Sequence, residues 1–267
     1  GEALTGGAVG EVIASNGGRF PVGAFVLHGY GWRTLFLGDG NGLSQIDTTL
    51  APPASYLGVM GMPGQTAYGG LLDLGKPKAG ETVFVSAAAG AVGSLVCQIA
   101  KLHGCHVVGS AGTEAKVQWL REDLGVDAAF NYKTLPLPAA LARTCKEGID
   151  IYFENVGGAH VEAALQRMNN FGRIVVCGMI ANYNATEPQP GPRNLALLIS
   201  KRLTMQGFIV SDHHERWPQF YADMGRWLAE GKIKWQETIV DGLENAPSAF
   251  LGLFSGENTG KMLVRLA

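Results

Sequence analysis

The stretch Glu81-Thr-Val-Phe-Val-Ser-Ala-Ala-Ala-Gly90-Ala-Val-Gly93-Ser94 orders the reading of the whole chain. Its apolar, β-branched start, Val83 to Val85, predicts a buried strand. Small residues then make a tight turn, and Leu95 to Leu102 has the apolar spacing of an amphipathic helix. A strand, a glycine turn and a helix in this order form a phosphate cradle. Gly90 admits close approach of the backbone, Gly93 lets the helix pack on the sheet, and the helix N-terminus offers free N–H groups. Gly90, Ala91, Val92 and Gly93 are therefore candidates to line a dinucleotide pyrophosphate. Ala88 stands where the first glycine of the usual G-x-G-x-x-G falls, so the motif needs support from elsewhere.

Downstream, strand-like runs at Thr82–Ser86, His106–Ala111, Ala128–Tyr132, Ile149–Asn155 and Arg173–Gly178 alternate with helical stretches at 91–102, 114–124, 138–146 and 160–168. That alternation predicts an α/β fold, a doubly wound parallel sheet of the Rossmann type. Right-handed crossovers place the loops 88–93, 112–116, 155–158 and 178–183 along one crevice. Upstream, residues 1 to about 60 carry short alternating runs and no helical period, which predicts β structure closed by Pro52-Pro53. After an irregular loop at 184–193, the pattern reads as a helix (195–200), a strand (203–210), a helix (217–231) and a strand–helix–strand tail. The tail is too short to stand alone and is expected to return to the first β domain. The expected organisation is thus 1–64, 65–232 and 233–267.

With 267 residues, 46% of them apolar, and 16% charged, the chain can bury a sizeable core. A net charge of −2 gives no basic footprint for nucleic acid or a membrane surface. No apolar run approaches the roughly 18 residues of a membrane span. Cys97, Cys105, Cys145 and Cys177 contain no C-x-x-C pair and read as buried thiols in a reducing compartment, so a cytoplasmic location is expected. The six histidines lack ligand spacing, and no H-E-x-x-H or G-x-S-x-G motif occurs, which disfavours metal and serine chemistry.

Cofactor choice is read at the end of the second strand of the unit, where an acid usually holds a ribose 2′-hydroxyl. Here the sequence is Gly109-Ser110-Ala111-Gly112-Thr113, and Glu114 and Lys116 come after it. Small residues and a cation suit a 2′-phosphate and hence NADPH, although Lys116 also reads as a solvated helix residue. Asn155, in Glu154-Asn155-Val156-Gly157-Gly158, suits a nicotinamide ribose; the same run also reads as a plain turn. Tyr183, in the loop after Cys177-Gly178, can present a phenol to a substrate oxygen or serve only as a packing residue.

Several strings occur together and in order. They are Gly58-Val-Met-Gly61-Met62-Pro63-Gly64-Gln-Thr66-Ala67-Tyr68, Ala87–Gly93, Glu154–Gly158, Cys177-Gly178 with Asn182-Tyr183-Asn184, and Gly256-Glu-Asn258-Thr-Gly-Lys261. As a set they resemble the zinc-independent medium-chain dehydrogenase/reductases that include leukotriene dehydrogenase/prostaglandin reductase and the bacterial NADPH-dependent curcumin reductases. The runs Gly148–Asn155 and Asp241–Pro247 resemble the bacterial branch. The resemblance spans the chain and implies that residues 1–64 are part of a GroES-like β domain, whose remainder lies outside this sequence or is replaced by a neighbouring chain. Zinc-using relatives carry a Gly-His-Glu run near Thr5–Gly7 and a cysteine near Met62; neither is present here.

By position, the resemblance implies that Gly90 to Gly93 line the pyrophosphate and that Lys116 and Tyr132 meet the adenosine phosphates. It places Asn155 at the nicotinamide ribose, with Cys177, Gly178, Met179, Ile180, Ala181, Asn182, Tyr183, Phe208, Ile209, Val210 and Asn258 completing the cofactor wall. It implies NADPH-dependent reduction of the C=C bond of α,β-unsaturated ketones, with hydride to the β-carbon, a proton to the α-carbon and Tyr183 at the enone oxygen. A homodimer joined near 203–210 is implied as well. A quinone reductase and a non-catalytic NADPH-binding scaffold are the alternative readings.

Overall fold

The computed structural model describes Glu2 and residues 4–266. Strands β1 (Ala8–Glu11), β2 (Phe25–His28) and β3 (Ser44–Gln45) form an antiparallel sheet, with Ala8 opposite His28 and Val26 opposite Gln45. A 3-10 turn over Pro53–Leu57 leads to helix α1 (Met62–Gly69) and a wider helical turn at Gly70–Gly75. The sequence reading did not anticipate α1, because repeated glycines lower helical propensity. Packing decides it instead. A Cβ on Gly64 would lie 2.0 Å from the Val59 carbonyl oxygen, and Met60, Ala67 and Leu71 are fully buried.

Next come β4 (Thr82–Val85), α2 (Gly93–Leu102), β5 (His106–Ala111), α3 (Glu114–Glu122), β6 (Ala128–Asn131) and α4 (Leu137–Thr144). They are followed by β7 (Ile149–Glu154), α5 (Ala159–Arg167), β8 (Met168–Val176), α6 (Leu197–Ser200), β9 (Thr204–Gly207) and α7 (Trp217–Ala229). The six strands pair in the order β6-β5-β4-β7-β8-β9, and every pairing is parallel. This is the expected doubly wound sheet. The chain steps outward from β4 to β6 and then crosses back to β7 on the other side of β4, so a crevice opens where its direction reverses.

Alternate residues of each strand point to opposite faces. On one face, Val83, Val85, Val107, Ile151 and Phe153 pack with Leu95 and Ile99 of α2, Leu120 of α3 and Phe220 of α7. On the other, Phe84, Val108, Phe130, Tyr152 and Ile174 pack with Leu141 of α4 and with Val161 and Leu165 of α5. The Phe84 ring stacks 4.9 Å from Tyr152 and 6.1 Å from Phe130.

Two boundaries of the large sheet differ from the expected ranges by three residues or more. β8 begins at Met168, directly after α5, because Met168 pairs with Ile149 before an irregularity in the register. β9 ends at Gly207, opposite the last residue of β8, so 208–210 leave the sheet.

The tail forms β10 (Glu237–Asp241), α8 (Ala246–Ser255) and β11 (Lys261–Arg265), with β10 and β11 parallel. It is tied to the large sheet by Gly260 N–H donating to Ala89 O at 2.8 Å. The Gln98 amide clamps Lys234 from both sides, donating to its carbonyl and accepting from its N–H, each at 2.8 Å. Phe250 meets Trp32 edge-on. Among the described residues, no helix is long and apolar enough to cross a membrane.

Gly93 sets how closely α2 approaches β4. A Cβ there would lie 2.4 Å from the Ala87 carbonyl oxygen and 2.8 Å from the Ala88 Cα, both backbone atoms. Gly93→Ala must therefore shift the helix. We expect it to cost about 1–3 kcal/mol, the usual range for overpacking, read as a lowered urea midpoint.

Candidate active site

The carboxyl ends of the parallel strands gather the candidate residues at one edge of the sheet. Backbone bonds stitch the loops together there. Ala88 N–H donates to Ser110 O (2.9 Å), Tyr132 N–H to Ala111 O (3.1 Å), and Cys177 and Gly178 N–H to Glu154 O (2.9 and 3.1 Å).

At the centre lies the β4–α2 turn. Among the described residues, the N–H groups of Val92 and Gly93 have no acceptor in the chain, and the first turn of α2 carries no acidic residue. A helix start of this kind presents roughly half a positive charge. It is a donor set for an anion.

At the β5–β6 end the geometry is cationic. A Cβ on Gly112 would meet the Tyr132 hydroxyl at 3.2 Å and Lys133 Cε at 3.3 Å, so both side chains lie over this glycine. Lys116 Nζ donates to Gly256 O at 2.7 Å. Burial holds the Lys116 ammonium below the usual lysine range, and the neighbouring Lys133 charge adds to this. Glu114 does not compete for the site. Its carboxylate accepts from the Asn131 amide at 3.0 Å and from the Thr134 hydroxyl at 3.5 Å. Lys133 was not singled out in the sequence, where its only signal is that it follows Tyr132.

Beneath Tyr132 sits His160, 4% exposed, its ring edge-on at 5.0 Å. Among the described residues its Nε2 has no hydrogen-bond partner, and burial holds the imidazole down to about 4.

At the β7–β8 end, Asn155 N–H donates to Ser86 Oγ (2.9 Å), and its amide donates to Ser86 O (2.8 Å). A carbonyl can only accept, so this bond fixes the amide orientation and leaves Asn155 Oδ1 as the acceptor facing away from Ser86. The turn at Ile180–Asn182 is bonded back to this loop through Ile180 N–H to Asn155 O and Ala181 N–H to Val156 O. Met179, Ile180, Ala181 and Asn182 therefore form the rim next to Asn155. Burial, with the Glu154 charge behind it, pushes the Cys177 thiol up to about 12, which keeps it protonated.

Tyr183 is 61% exposed, and its hydroxyl accepts from Met179 N–H at 3.1 Å. Among the described residues none takes the phenol proton, which is free for an acceptor outside the chain. Phe208 turns inward against Gly70 and Phe153, supporting the wall from below, while Ile209 is 64% exposed. Val210 lines a small hollow with Gln65, Tyr68 and Trp217. Asn258 donates to Gly260 O at 2.7 Å, and Gly260 in turn bridges to Gly90. Among the described residues, no group of three or more His, Cys, Asp or Glu side chains is placed to hold a metal.

These donor sets fit a phosphorylated dinucleotide. Free N–H groups mark the middle, two lysines and a phenol one end, and an amide oxygen with a phenol the other. Two family profiles match the chain. The one described as zinc-binding dehydrogenase covers residues 91–226, and that of the N-terminal domain of oxidoreductase covers 1–46. The NADPH-dependent curcumin reductase of Escherichia coli is 45% identical over the whole chain, which spans 79% of that relative. The NADP(+)-dependent 2-alkenal reductase of Nicotiana tabacum is 45% identical over the whole chain and 78% of its own length. The crystal structure of CurA from Vibrio vulnificus in complex with NADPH superposes with a TM-score of 0.93 at 48% identity, covering all of this chain and 80% of that one.

Fold, site and relatives together define an oxidoreductase of the medium-chain dehydrogenase/reductase family. Within that family the chain lies near the NADPH-dependent curcumin reductase of Escherichia coli and, at 46% identity, prostaglandin reductase 1 of Bos taurus.

His160 gives the site a pH signature. The imidazole binds its proton near 6.5 in the unfolded chain but near 4 in the folded one. Its contribution to stability is therefore complete above 6.5 and is lost as the pH falls towards 4. At about 1.4 kcal/mol per unit, the loss reaches about 3 kcal/mol. His160→Leu should flatten the acid limb of stability over that interval, measured by urea melts from pH 7 to pH 4.

Proposed function

We propose that this protein is an NADPH-dependent reductase of the carbon–carbon double bond of α,β-unsaturated ketones and aldehydes. The observation that carries the cofactor choice is the nearness of Lys133, which lies over Gly112, to Lys116, which is held at Gly256, together with the diversion of Glu114 into bonds with Asn131 and Thr134. Two cations without a facing acid favour a 2′-phosphate over a bare ribose hydroxyl. The substrate class follows the activities named for the 45%-identical relatives, a curcumin reductase and a 2-alkenal reductase.

NADPH, when bound, supplies the hydride that adds to the β-carbon of the enone. The chain's own contribution is binding, orientation and charge. The Val92 and Gly93 N–H groups hold the pyrophosphate, Lys116, Lys133 and Tyr132 hold the 2′-phosphate, and Asn155 Oδ1 accepts from a ribose hydroxyl. Tyr183 hydrogen-bonds the enone oxygen through its phenol O–H and keeps the proton, stabilising the negative charge that builds there as the β-carbon is reduced. The resulting enolate takes its single proton at the α-carbon from water, completing the saturated ketone. The open edge of the large sheet at β9 is read as the pairing edge of a homodimer.

Following NADPH absorbance with an enone and, separately, a quinone tests the activity. Rapid enone-dependent oxidation is expected; turnover with quinone alone would reassign the substrate class, and binding without turnover would leave only a scaffold. Tyr183→Phe should lower kcat by about ten- to a hundred-fold, in line with loss of one acid or oxyanion donor, while NADPH affinity holds. Unchanged kcat would remove Tyr183 from catalysis. Lys116→Ala with Lys133→Ala should weaken NADPH by about a hundred-fold, a hundredfold being near 3 kcal/mol for two charged contacts, and leave NADH nearly unaffected.

A further inference from the structure

Glu154 is an ionisable residue that the mechanism above does not use. It is 0% exposed, on the last position of β7. Among the described residues, no Lys, Arg or His forms an ion pair with it. A buried carboxylate without a cation persists only where hydrogen bonds satisfy it. Here they do so fully. Oε1 accepts from Ser86 Oγ (2.9 Å), from Gly157 N–H (2.9 Å) and from Val156 N–H, and Oε2 accepts from the Tyr152 hydroxyl.

Besides Tyr152, the donors are the loop that follows Asn155 and the serine that holds Asn155. Ser86 carries one hydroxyl proton, and a carboxylate can only accept, so that proton points at Glu154. The Ser86 oxygen lone pair is thereby turned towards Asn155 N–H at 2.9 Å, and the Ser86 carbonyl takes the Asn155 amide at 2.8 Å. The chain of bonds therefore runs from Glu154 through Ser86 to the side chain of Asn155. Its direction fixes which amide atom faces the crevice.

We propose that Glu154 is the positioning residue of this crevice: its carboxylate sets the Ser86 hydroxyl and the 155–158 loop, and so presents Asn155 Oδ1 to the nicotinamide-side ribose. The inference rests on the NADPH reading above. It predicts that the network acts on one half of the cofactor only. The adenosine half is held by Lys116 of α3 and by Tyr132 and Lys133 in the turn after β6, on the far side of β4 from β7 and Glu154. A carboxylate that merely supported the fold would influence both halves alike.

The test measures Kd of the full chain for two probes, NADPH and adenosine 2′,5′-bisphosphate, by fluorescence or calorimetry. Ser86→Ala removes the relay but keeps both loop N–H bonds to Glu154, so it retains the fold. Glu154→Ala removes the anchor itself, and Glu154→Gln restores an acceptor of the same shape. Ser86→Ala and Glu154→Ala are expected to weaken NADPH by about ten-fold, the worth of one well-placed hydrogen bond. The bisphosphate should hold within about two-fold of wild type, and Glu154→Gln should recover most of the NADPH affinity. Equal weakening of both probes by Ser86→Ala, or no weakening of either, overturns the proposal. If Glu154→Ala does not fold, the Ser86→Ala result alone decides. A wild-type chain that binds neither probe overturns the NADPH reading itself, which separates the two failures.

Discussion

Helix α2 begins in direct backbone contact with the end of β4, and the rest of the crevice is placed from that contact. Gly93 leaves no room for a side chain against Ala87 and Ala88, and Ala87 itself takes a left-handed conformation with φ +48°. Beneath the turn, Gly109 of β5 provides the matching gap, since a Cβ there would lie 2.8 Å from the Ala88 Cβ. Ala88, which breaks the usual glycine pattern, is thus accommodated by a glycine on the neighbouring strand. With the helix so close, its free N–H groups open onto the sheet edge where the other loops end. The tail is drawn to the same point by the bridge between Gly90 and Gly260.

Two glutamates near this edge show how partners decide the role of one side-chain type. Glu114 follows the second strand of the unit, near where an acid would meet a ribose, yet Asn131 and Thr134 take its carboxylate and leave the lysines unopposed. Glu154 is fully buried and has only N–H and O–H donors around it, so it organises a loop without neutralising a cation. Its charge also helps to keep the Tyr152 phenol, raised mainly by burial, well above the ordinary tyrosine range, so that phenol remains a donor. The crevice is therefore cationic at one end and lined by directed hydrogen bonds at the other.

Much of this was legible in the chain. The alternation of apolar strands with helices gave the sheet its parallel character, because strands covered on both faces must be apolar throughout. The loops after those strands were legible for the same reason. Helix α1 was not, since Gly61, Gly64 and Gly69 argue against a helix until the carbonyls of Tyr56 and Val59 are seen to occupy the space of the side chains missing from Gly61 and Gly64. The start of β8 was hidden in the same way: pairing of Met168 with Ile149 ends α5, and no local residue announces it.

By itself, then, the sequence determined the order of elements, the phosphate turn and the absence of an acid at the end of the second strand. Each of these depends on residues close together in the chain or on a simple period. Tertiary structure alone decided that Lys133, over Gly112, comes near Lys116, that Glu114 turns away, that Tyr183 keeps a free proton, and that Glu154 reaches Asn155 through Ser86. Ser86 and Glu154 are 68 residues apart and meet at 2.9 Å. Hydrogen-bond direction and charge proximity depend on distances across neighbouring strands, and no local pattern in a chain encodes those.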